Sequence, residues 1–245
     1  INHFNLEKGA AVKVLFNNPS DISAFVREAL SAGMDGFMIN SNDVGYEIIS
    51  KEKFDLDKEI HYSIPYAHKY ANIVNEDGMM SLLAHILKNT SLVSNIKGGL
   101  NLLLKRDLAH LVPLAVDLEV PKQLPKGSVV YLQNIITDLV IGLGRYDLIV
   151  KFIESTRNKG YRPGLVTLNP IMLNKVLIDT KIEIRDVVMC FNINDAGFNV
   201  FPSKEEVETF AQSKTSYRKM GMSIFASGAG NINKSIEYIK RLNLD

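Results

Sequence analysis

The stretch GLVTLNPIMLNKVLI, residues 164–178, contains the two kinds of element that decide the fold. Residues 164–168 are a short, mostly apolar run, and Asn169 and Pro170 interrupt it. From Ile171 to Ile178, apolar residues recur at the spacing of one helix face. A short buried strand followed at once by a helix predicts one unit of a parallel α/β sheet.

The same alternation extends outward from this stretch along the 245 residues. Seven apolar runs predict strands, with helical patterns between them: residues 12–16, 36–39, 60–64, 129–132, 164–168, 187–191 and 222–226. Residues 111–120 fit either a helix or a further strand, because periodicity alone does not separate the two in a short apolar run. Strands that are apolar on both faces are typical of a sheet covered by helices.

Two architectures fit this pattern, a single (β/α) barrel of seven or eight parallel strands and an open doubly wound α/β sheet. Three features favour the barrel. The length is near the ~250 residues typical of that fold, no glycine-rich dinucleotide motif follows the first strand, and strand–helix units continue to residue 245. Residues 121–127 are short enough for a loop, so residues 1–245 are predicted to form one domain.

Composition excludes several classes of partner. There are 28 Lys and Arg residues against 27 Asp and Glu residues, so the net charge of +1 gives no basic field for nucleic acid or an anionic membrane. No apolar run reaches the ~18 residues of a membrane-spanning helix. The first residues also lack a signal-peptide pattern, and we expect a cytoplasmic protein. Residues 100–118 are apolar enough either for a contact in a homo-oligomer or for ordinary packing within one copy.

Asparagines follow most of the predicted strands and form the predicted substrate-binding set: Asn17, Asn40, Asn134, Asn169, Asn192 and Asn194. Barrel active sites lie at the carboxyl ends of the strands. Amides both donate and accept hydrogen bonds, which suits a ligand with hydroxyl or carbonyl groups. The chain has 21 asparagines, however, and asparagine is also common at strand ends and helix caps for local reasons. Both interpretations stay open at this point.

A glycine turn before the last predicted helix comprises Ser227, Gly228, Ala229, Gly230 and Asn231. Small residues let a ligand approach the backbone closely, and free N–H groups at a helix start attract anions. The segment resembles the last strand–loop–helix unit of the phosphate-binding (β/α)8 barrels of the aldolase superfamily. The resemblance implies a barrel fold and a phosphate-binding role for these five residues. The sequence differs from that family in the loop after the preceding predicted strand. The family usually has a glycine pair there, and this chain has only Gly197. A tight turn that needs glycine is the structural alternative.

Asp138 and His68 are the predicted catalytic residues. Asp138 lies in the apolar segment IITDLVI, where a carboxylate needs either a raised pKa or a partner, and Arg145 is the candidate partner. His68 follows a predicted strand closely enough to transfer a proton, although a structural role fits a histidine equally well. A Schiff-base lysine is not expected, because the only lysine within a predicted strand is Lys13.

No metal site and no resident cofactor are predicted, since three converging ligands cannot be assembled and the single cysteine, Cys190, lies in an apolar strand. These residues predict an enzyme that acts on a small polar metabolite, phosphorylated or carboxylated, by acid–base chemistry of the isomerase or lyase class. Two alternatives stay open. One is a non-catalytic ligand-binding barrel, and the other is a flavin-binding oxidoreductase whose cofactor phosphate occupies the glycine turn. In each case the expected partner is a small molecule.

Overall fold

The computed structural model describes residues 18–51, 58–65, 111–228, 231–242 and 244. Its strands are β1 (Gly36–Asn40), β2 (Glu59–Ile64), β3 (Val129–Leu132), β4 (Arg162–Thr167), β5 (Val188–Asn192) and β6 (Arg218–Met222). Its α-helices are α1 (Pro19–Ser31), α2 (Asp43–Lys51), α3 (Leu111–Glu119), α4 (Asn134–Gly142), α5 (Tyr146–Asn158), α6 (Pro170–Asp179), α7 (Lys204–Gln212) and α8 (Ile232–Leu242). The predicted strand at residues 12–16 lies outside this part of the chain.

The six strands form one parallel sheet whose spatial order, β1 to β6, follows the order of the sequence. The register aligns Val129 of β3 with Arg162 of β4, and Val188 of β5 with Arg218 of β6. Because parallel crossovers are right-handed, steps that all run in one direction place the connecting helices on the same face of the sheet. The result is a curled, open sheet covered by helices on its outer face.

The barrel prediction was therefore wrong. Within the described residues β1 and β6 lie at opposite ends of the sheet and do not pair, so the sheet is an open half-barrel of six strands. The resemblance to phosphate-binding barrels fails with it, since that family requires a closed eight-stranded ring. The alternative of an open α/β sheet is confirmed. The strand order runs in one direction, without the reversal that a doubly wound sheet contains.

Alternate residues of each strand enter two separate cores. Tyr62, Leu165 and Phe191 belong to the core between the sheet and the helices, together with Ile149 and Phe152 of α5, both almost fully buried. Their neighbours along the strands form a second cluster on the concave face, made by Val129, Tyr131, Val166, Val188 and Cys190. The continuous apolar strands of the sequence thus serve both faces of the sheet. Burial raises the pKa of the Cys190 thiol to about 12, which agrees with an inert side chain.

Two elements differ from their sequence predictions. The last strand is β6 at Arg218–Met222, whereas the sequence predicted residues 222–226. The cause is Lys219, a charged residue that nevertheless sits inside the strand, because its ammonium donates to the carbonyls of Phe210, Ala211 and Ser213 at the end of α7. The ambiguous segment at residues 111–120 is mainly helical, as α3.

Candidate functional site

Four of the predicted asparagines lie where the strands of the sheet end. Asn40 ends β1, Asn192 ends β5, Asn134 begins α4 directly after β3, and Asn169 caps α6 directly after β4. All six strands are parallel, so these positions share one edge of the sheet, which we call the carboxyl edge. In open α/β sheets this edge is where ligands bind. Four predicted site residues lie outside the described residues: Asn17, His68, Ala229 and Gly230.

A cleft of about 760 Å³ opens at the carboxyl edge, beside the ends of β3 and β4. Its walls come from α4, the start of α5, the β4–α6 junction and the loop after β5. It is lined by Asp138, Ile141, Gly142, Gly144, Tyr146, Leu168, Asn169, Met172, Asn199, Val200 and Phe201. Among the predicted site residues that the structure describes, Asp138 and Asn169 line this cleft together. The others do not line it.

The Asp138 carboxylate is held in place by two hydrogen bonds. The Thr167 hydroxyl donates to Oδ1 at 2.5 Å, and the backbone N–H of Leu168 donates to Oδ2 at 2.9 Å. Thr167 is itself fixed, because it is fully buried and its Oγ1 accepts from the N–H of Asn169 at 2.9 Å. Burial raises the pKa of Asp138 above its ordinary value, and the two hydrogen bonds offset part of that rise.

The predicted partner of Asp138 was Arg145, and the structure places this guanidinium on another carboxylate. Arg145 donates through Nε and Nη2 to the two oxygens of Asp147, at 2.8 Å each. This exposed pair lies at the start of α5, where Asp147 also complements the positive end of the helix. Asp138 thus meets the sequence expectation through its raised pKa, and its hydrogen bonds come from neutral donors.

Asn192 and Asn194 hold the loop after β5 in position. The Asn192 amide donates to the carbonyl of Asn199 at 2.9 Å, and its Oδ1 accepts from the Ser223 hydroxyl at 2.8 Å. Asn194 is fully buried and bonds both the N–H and the carbonyl of Phe198. The loop needs this support because Asn199 has a positive φ of 52°. The two amides therefore shape the wall of the cleft from behind.

Asn169 differs from Asn192 and Asn194 because it lines the cleft directly. Its Oδ1 accepts from the N–H of Met172 at 3.1 Å, as an N-cap does. The Leu173 N–H donates to the Asn169 carbonyl at 3.1 Å. The Asn169 amide nitrogen bonds to no other described residue, which leaves a donor for a ligand beside Asp138.

The predicted phosphate-binding turn lies apart from the cleft. Strand β6 ends at Met222, and a turn and a short 3₁₀ helix (Ala226–Gly228) follow it. Ser227 and Gly228 are exposed with positive φ values of 57° and 86°, and Asn231 caps α8 by accepting from the Lys234 N–H. Of the five predicted residues, these three are described, and none lines the cleft. Their geometry is that of a tight turn.

A second polar cluster lies at the amino edge, where the strands begin, and sequence reasoning missed it. The Glu59 carboxylate accepts from Arg162 at 2.7 Å, from Arg218 at 2.6 Å and from His61 at 3.1 Å. The other ring nitrogen of His61 bonds the Tyr131 hydroxyl at 2.9 Å. Burial opposes ionisation of Glu59, but Arg218 and, to a smaller extent, His61 favour the carboxylate strongly enough to hold its pKa below the ordinary value.

This cluster has no local signal in the sequence, because its members come together only when the strands take their places in the sheet. Glu59, Arg162 and Arg218 each stand at the first position of a strand, on β2, β4 and β6. Side chains from alternate strands share one layer on the concave face of a curled sheet. At these three positions one carboxylate lies between two guanidinium groups, and the attraction between opposite charges is a structural function.

A smaller cavity of about 230 Å³ also lies near the amino edge, and three lysines line it: Lys122, Lys126 and Lys159. The Lys126 ammonium donates to the Lys159 carbonyl at 2.6 Å and lies 4.2 Å from the centre of the Tyr161 ring. Lys159 pairs with Asp117. Positive charge at the end of α5 complements the helix dipole, so these lysines have a structural explanation.

No group of three or more His, Cys, Asp or Glu side chains that could bind a metal occurs within the described ranges. The helices of those same ranges include none long and apolar enough to span a membrane. No protein-family model, curated protein or solved structure matches the chain. The fold and the cleft together describe a parallel α/β protein with an open cleft at the carboxyl edge of its sheet.

Proposed function

We propose that the carboxyl-edge cleft binds a small organic molecule with a mainly apolar body, and that Asp138 exchanges a proton with it. One observation carries the proposal. A half-buried carboxylate with a raised pKa forms part of a cleft whose other walls are largely apolar. A titrating group in such a setting is a candidate for general acid–base work.

The size and walls of the cleft support a small-molecule ligand. A volume of about 760 Å³ lies within the ~300–1,000 Å³ range of ligand pockets. Ile141, Leu168, Met172, Val200 and Phe201 offer apolar contact. Pockets of this kind use a few polar groups to orient the ligand. Asp138 and Asn169 supply an acceptor and a donor next to each other, because both are tied to Thr167.

Orientation of the carboxylate also supports proton exchange. The bonds from Thr167 and Leu168 fix both oxygens of Asp138 before any ligand arrives. A group that is preorganised in this way loses little conformational entropy when a reaction begins. Chemistry of the isomerase or lyase class, as the sequence predicted, is one use for such a group. The particular reaction stays a prediction.

A second function has one observation in its favour, namely ligand binding without catalysis. Among the lining residues that the structure describes, Asp138 is the only carboxylate, and none is a histidine, lysine or arginine. Many acid–base reactions use two titrating groups, one for each proton. A single group is enough for binding. The flavin alternative also remains a prediction, and the visible absorption of the purified protein tests it.

Titration with a neutral fluorescent probe, N-phenyl-1-naphthylamine, tests the cleft. Gly142 lines the cleft, and a Cβ atom added there has no other atom within 4 Å, so Gly142→Phe is expected to occupy part of the cleft. Ile135→Phe is the matched control, because Ile135 lies on the same helix, is exposed and is not part of the lining. We expect wild type and Ile135→Phe to bind the probe and Gly142→Phe to lose at least about tenfold in affinity. Equal affinity in all three proteins would contradict the proposal.

Asp138→Asn tests the proton exchange once a substrate has been found by screening neutral hydroxy and amino compounds for thermal stabilisation. Asparagine keeps the size of the side chain and cannot exchange a proton, so turnover is expected to fall by about 10²-fold or more. Binding is expected to persist. Unchanged turnover would remove Asp138 from the chemistry and leave the binding function.

A further inference from the structure

We infer that the cleft selects neutral or cationic ligands and rejects those that carry a phosphate, sulfonate or carboxylate group. This inference rests on the proposed function, since it specifies the ligand of the same cleft. It also replaces the sequence prediction of a phosphorylated or carboxylated metabolite. Three features of the described residues carry it: the charge of the lining, the state of the α6 N-terminus and the donors that hold Asp138.

The charge of the lining is negative. Asp138 is its one carboxylate, and none of the described lining side chains is a lysine, arginine or histidine. Arg145, close by in sequence, is engaged with both oxygens of Asp147. An anionic ligand would therefore meet a like charge in a partly dehydrated setting, where repulsion is much stronger than in water.

Four backbone N–H groups around the α6 N-terminus, the usual place for an anion in such folds, are already bonded to groups of the protein. The Leu168 N–H donates to Asp138 and the Asn169 N–H to Thr167. Further along the helix, the Met172 N–H donates to the side-chain oxygen of Asn169, and the Leu173 N–H donates to the backbone carbonyl of Asn169. Pro170, at the first position of the helix, has no N–H to offer. The Asp138 carboxylate itself is the anion at this helix start.

The donors on Asp138 also favour its ionised form. The Thr167 hydroxyl and the Leu168 N–H both point at carboxylate oxygens. Hydrogen bonds that are donated to a carboxylate stabilise the charge. A neutral or positively charged ligand avoids the repulsion that a phosphate would meet at the ionised carboxylate.

Two probes with the same skeleton test the selection. N-Phenyl-1-naphthylamine is neutral, and 8-anilino-1-naphthalenesulfonate adds one sulfonate to it. We measure the dissociation constants of both by fluorescence titration at low salt, for wild type, Asp138→Asn and Gly142→Phe. Only the binding that Gly142→Phe removes is assigned to the cleft, because exposed apolar residues elsewhere also attract such dyes. Gly142→Leu repeats the test if the larger side chain prevents folding.

We expect wild type to bind the neutral probe at least about tenfold more tightly than the sulfonate in the cleft. Asp138→Asn, which removes the charge and keeps the shape, is expected to raise the affinity for the sulfonate and to narrow that ratio toward one. Equal affinities in wild type, or an unchanged ratio in Asp138→Asn, would overturn the inference and leave the proposed function intact. Failure of Gly142→Phe and Gly142→Leu to weaken the neutral probe would instead overturn the proposed function.

Discussion

Asp138 shows how a single residue can carry an unusual charge at little structural cost. Its carboxylate is half-buried beside apolar side chains, and burial alone would oppose ionisation. Two donors, the Thr167 hydroxyl and the Leu168 N–H, return part of the solvation that burial removes. The outcome is a carboxylate that is fixed, accessible from the cleft and easier to protonate than an ordinary aspartate.

The raised pKa of Asp138 predicts a specific dependence of stability on pH. Since the folded state binds the proton more tightly than the unfolded state, the contribution of Asp138 to the free energy of unfolding declines as pH rises from about 3.8 through the folded pKa. Above that pKa it stays constant. Urea denaturation of wild type and Asp138→Asn at a series of pH values measures this. The free energy of unfolding of wild type minus that of Asp138→Asn should fall as pH increases. A rise of this quantity with pH would contradict the raised pKa of Asp138.

Glu59 joins three partners at the amino edge, so its charge is predicted to matter for stability. Glu59→Gln removes the carboxylate that lies between Arg162 and Arg218. Because these side chains are partly exposed, we expect a loss of about 1–2 kcal/mol in the free energy of unfolding. The measurement is a denaturant titration. Glu47→Gln is the control, since Glu47 forms an exposed pair with Lys51 and should change stability by less than about 0.5 kcal/mol. Equal losses for both variants would contradict the role of the cluster.

Residues whose environment is local were predictable from the sequence, and those whose partners are distant were not. Asp138 stood out because its apolar neighbours are adjacent in the chain. Ser203 and Glu206 have the three-residue spacing of a capping box, and at the start of α7 Ser203 Oγ accepts from the Glu206 N–H. Arg162 and Arg218, the partners of Glu59, lie 103 and 159 residues away from it in the chain, so no local sequence pattern predicts these contacts.

At the scale of elements, β4 packs closely on β3 through a glycine. A Cβ atom added at Gly164 would lie 2.4 Å from the Tyr131 ring. Tyr131 cannot easily move, because it is fully buried and its hydroxyl bonds His61. The absence of a side chain at Gly164 therefore lets the concave core close around this ring.

Two glycine-to-alanine variants should have opposite effects for this reason. Gly164→Ala is expected to lower the free energy of unfolding by about 1–3 kcal/mol, because the ring of Tyr131 must shift. Gly142→Ala adds its methyl group to open space within α4 and is expected to raise stability by about 0.5–1 kcal/mol. Thermal and denaturant unfolding of both variants check the pair. A Gly164→Ala protein as stable as wild type would show that Tyr131 does not pack as described.

The bounds of an element could be predicted where its charged residues lie on the surface. The prediction failed where charged residues have partners inside the fold. Residues 146–159 have the apolar spacing of one helix face, and they form α5, with Ile149, Phe152 and Ile153 buried. Strand β6 was misplaced because Arg218 and Lys219 resemble loop residues. In the fold Arg218 bonds Glu59, and Lys219 bonds the last carbonyls of α7. Such compensation depends on tertiary contacts that the sequence does not display.

For the whole molecule, the alternation of strands and helices predicted a parallel α/β sheet. It could not predict whether that sheet closes into a barrel. Closure depends on whether the first and last strands pair, which is a contact between distant parts of the chain. The described strands stop at β1 and β6, which do not pair with each other. The positions of the asparagines at one edge followed from the parallel arrangement. Which of them face a ligand depended on hydrogen bonds within the loops.

An open sheet predicts a gradient of backbone protection across the molecule. In hydrogen-exchange measurements, the amides of β2, β3, β4 and β5 should exchange most slowly, because each of these strands has a neighbour on both sides. The amides of β1 and β6 should exchange faster. Equal protection of all six strands would indicate a closed barrel and contradict the open sheet.

The central claim is that Asp138 titrates inside a ligand-binding cleft, and carbon-detected NMR of its carboxyl group tests this most directly. The measurement is the pKa of Asp138 with and without saturating N-phenyl-1-naphthylamine. In the free protein the pKa should lie above the ordinary value of 3.8. It should rise further when the neutral probe displaces water from the carboxylate, and Gly142→Phe should abolish that second rise. An Asp138 pKa that is ordinary in the free protein, or that does not respond to the bound probe, would contradict the account.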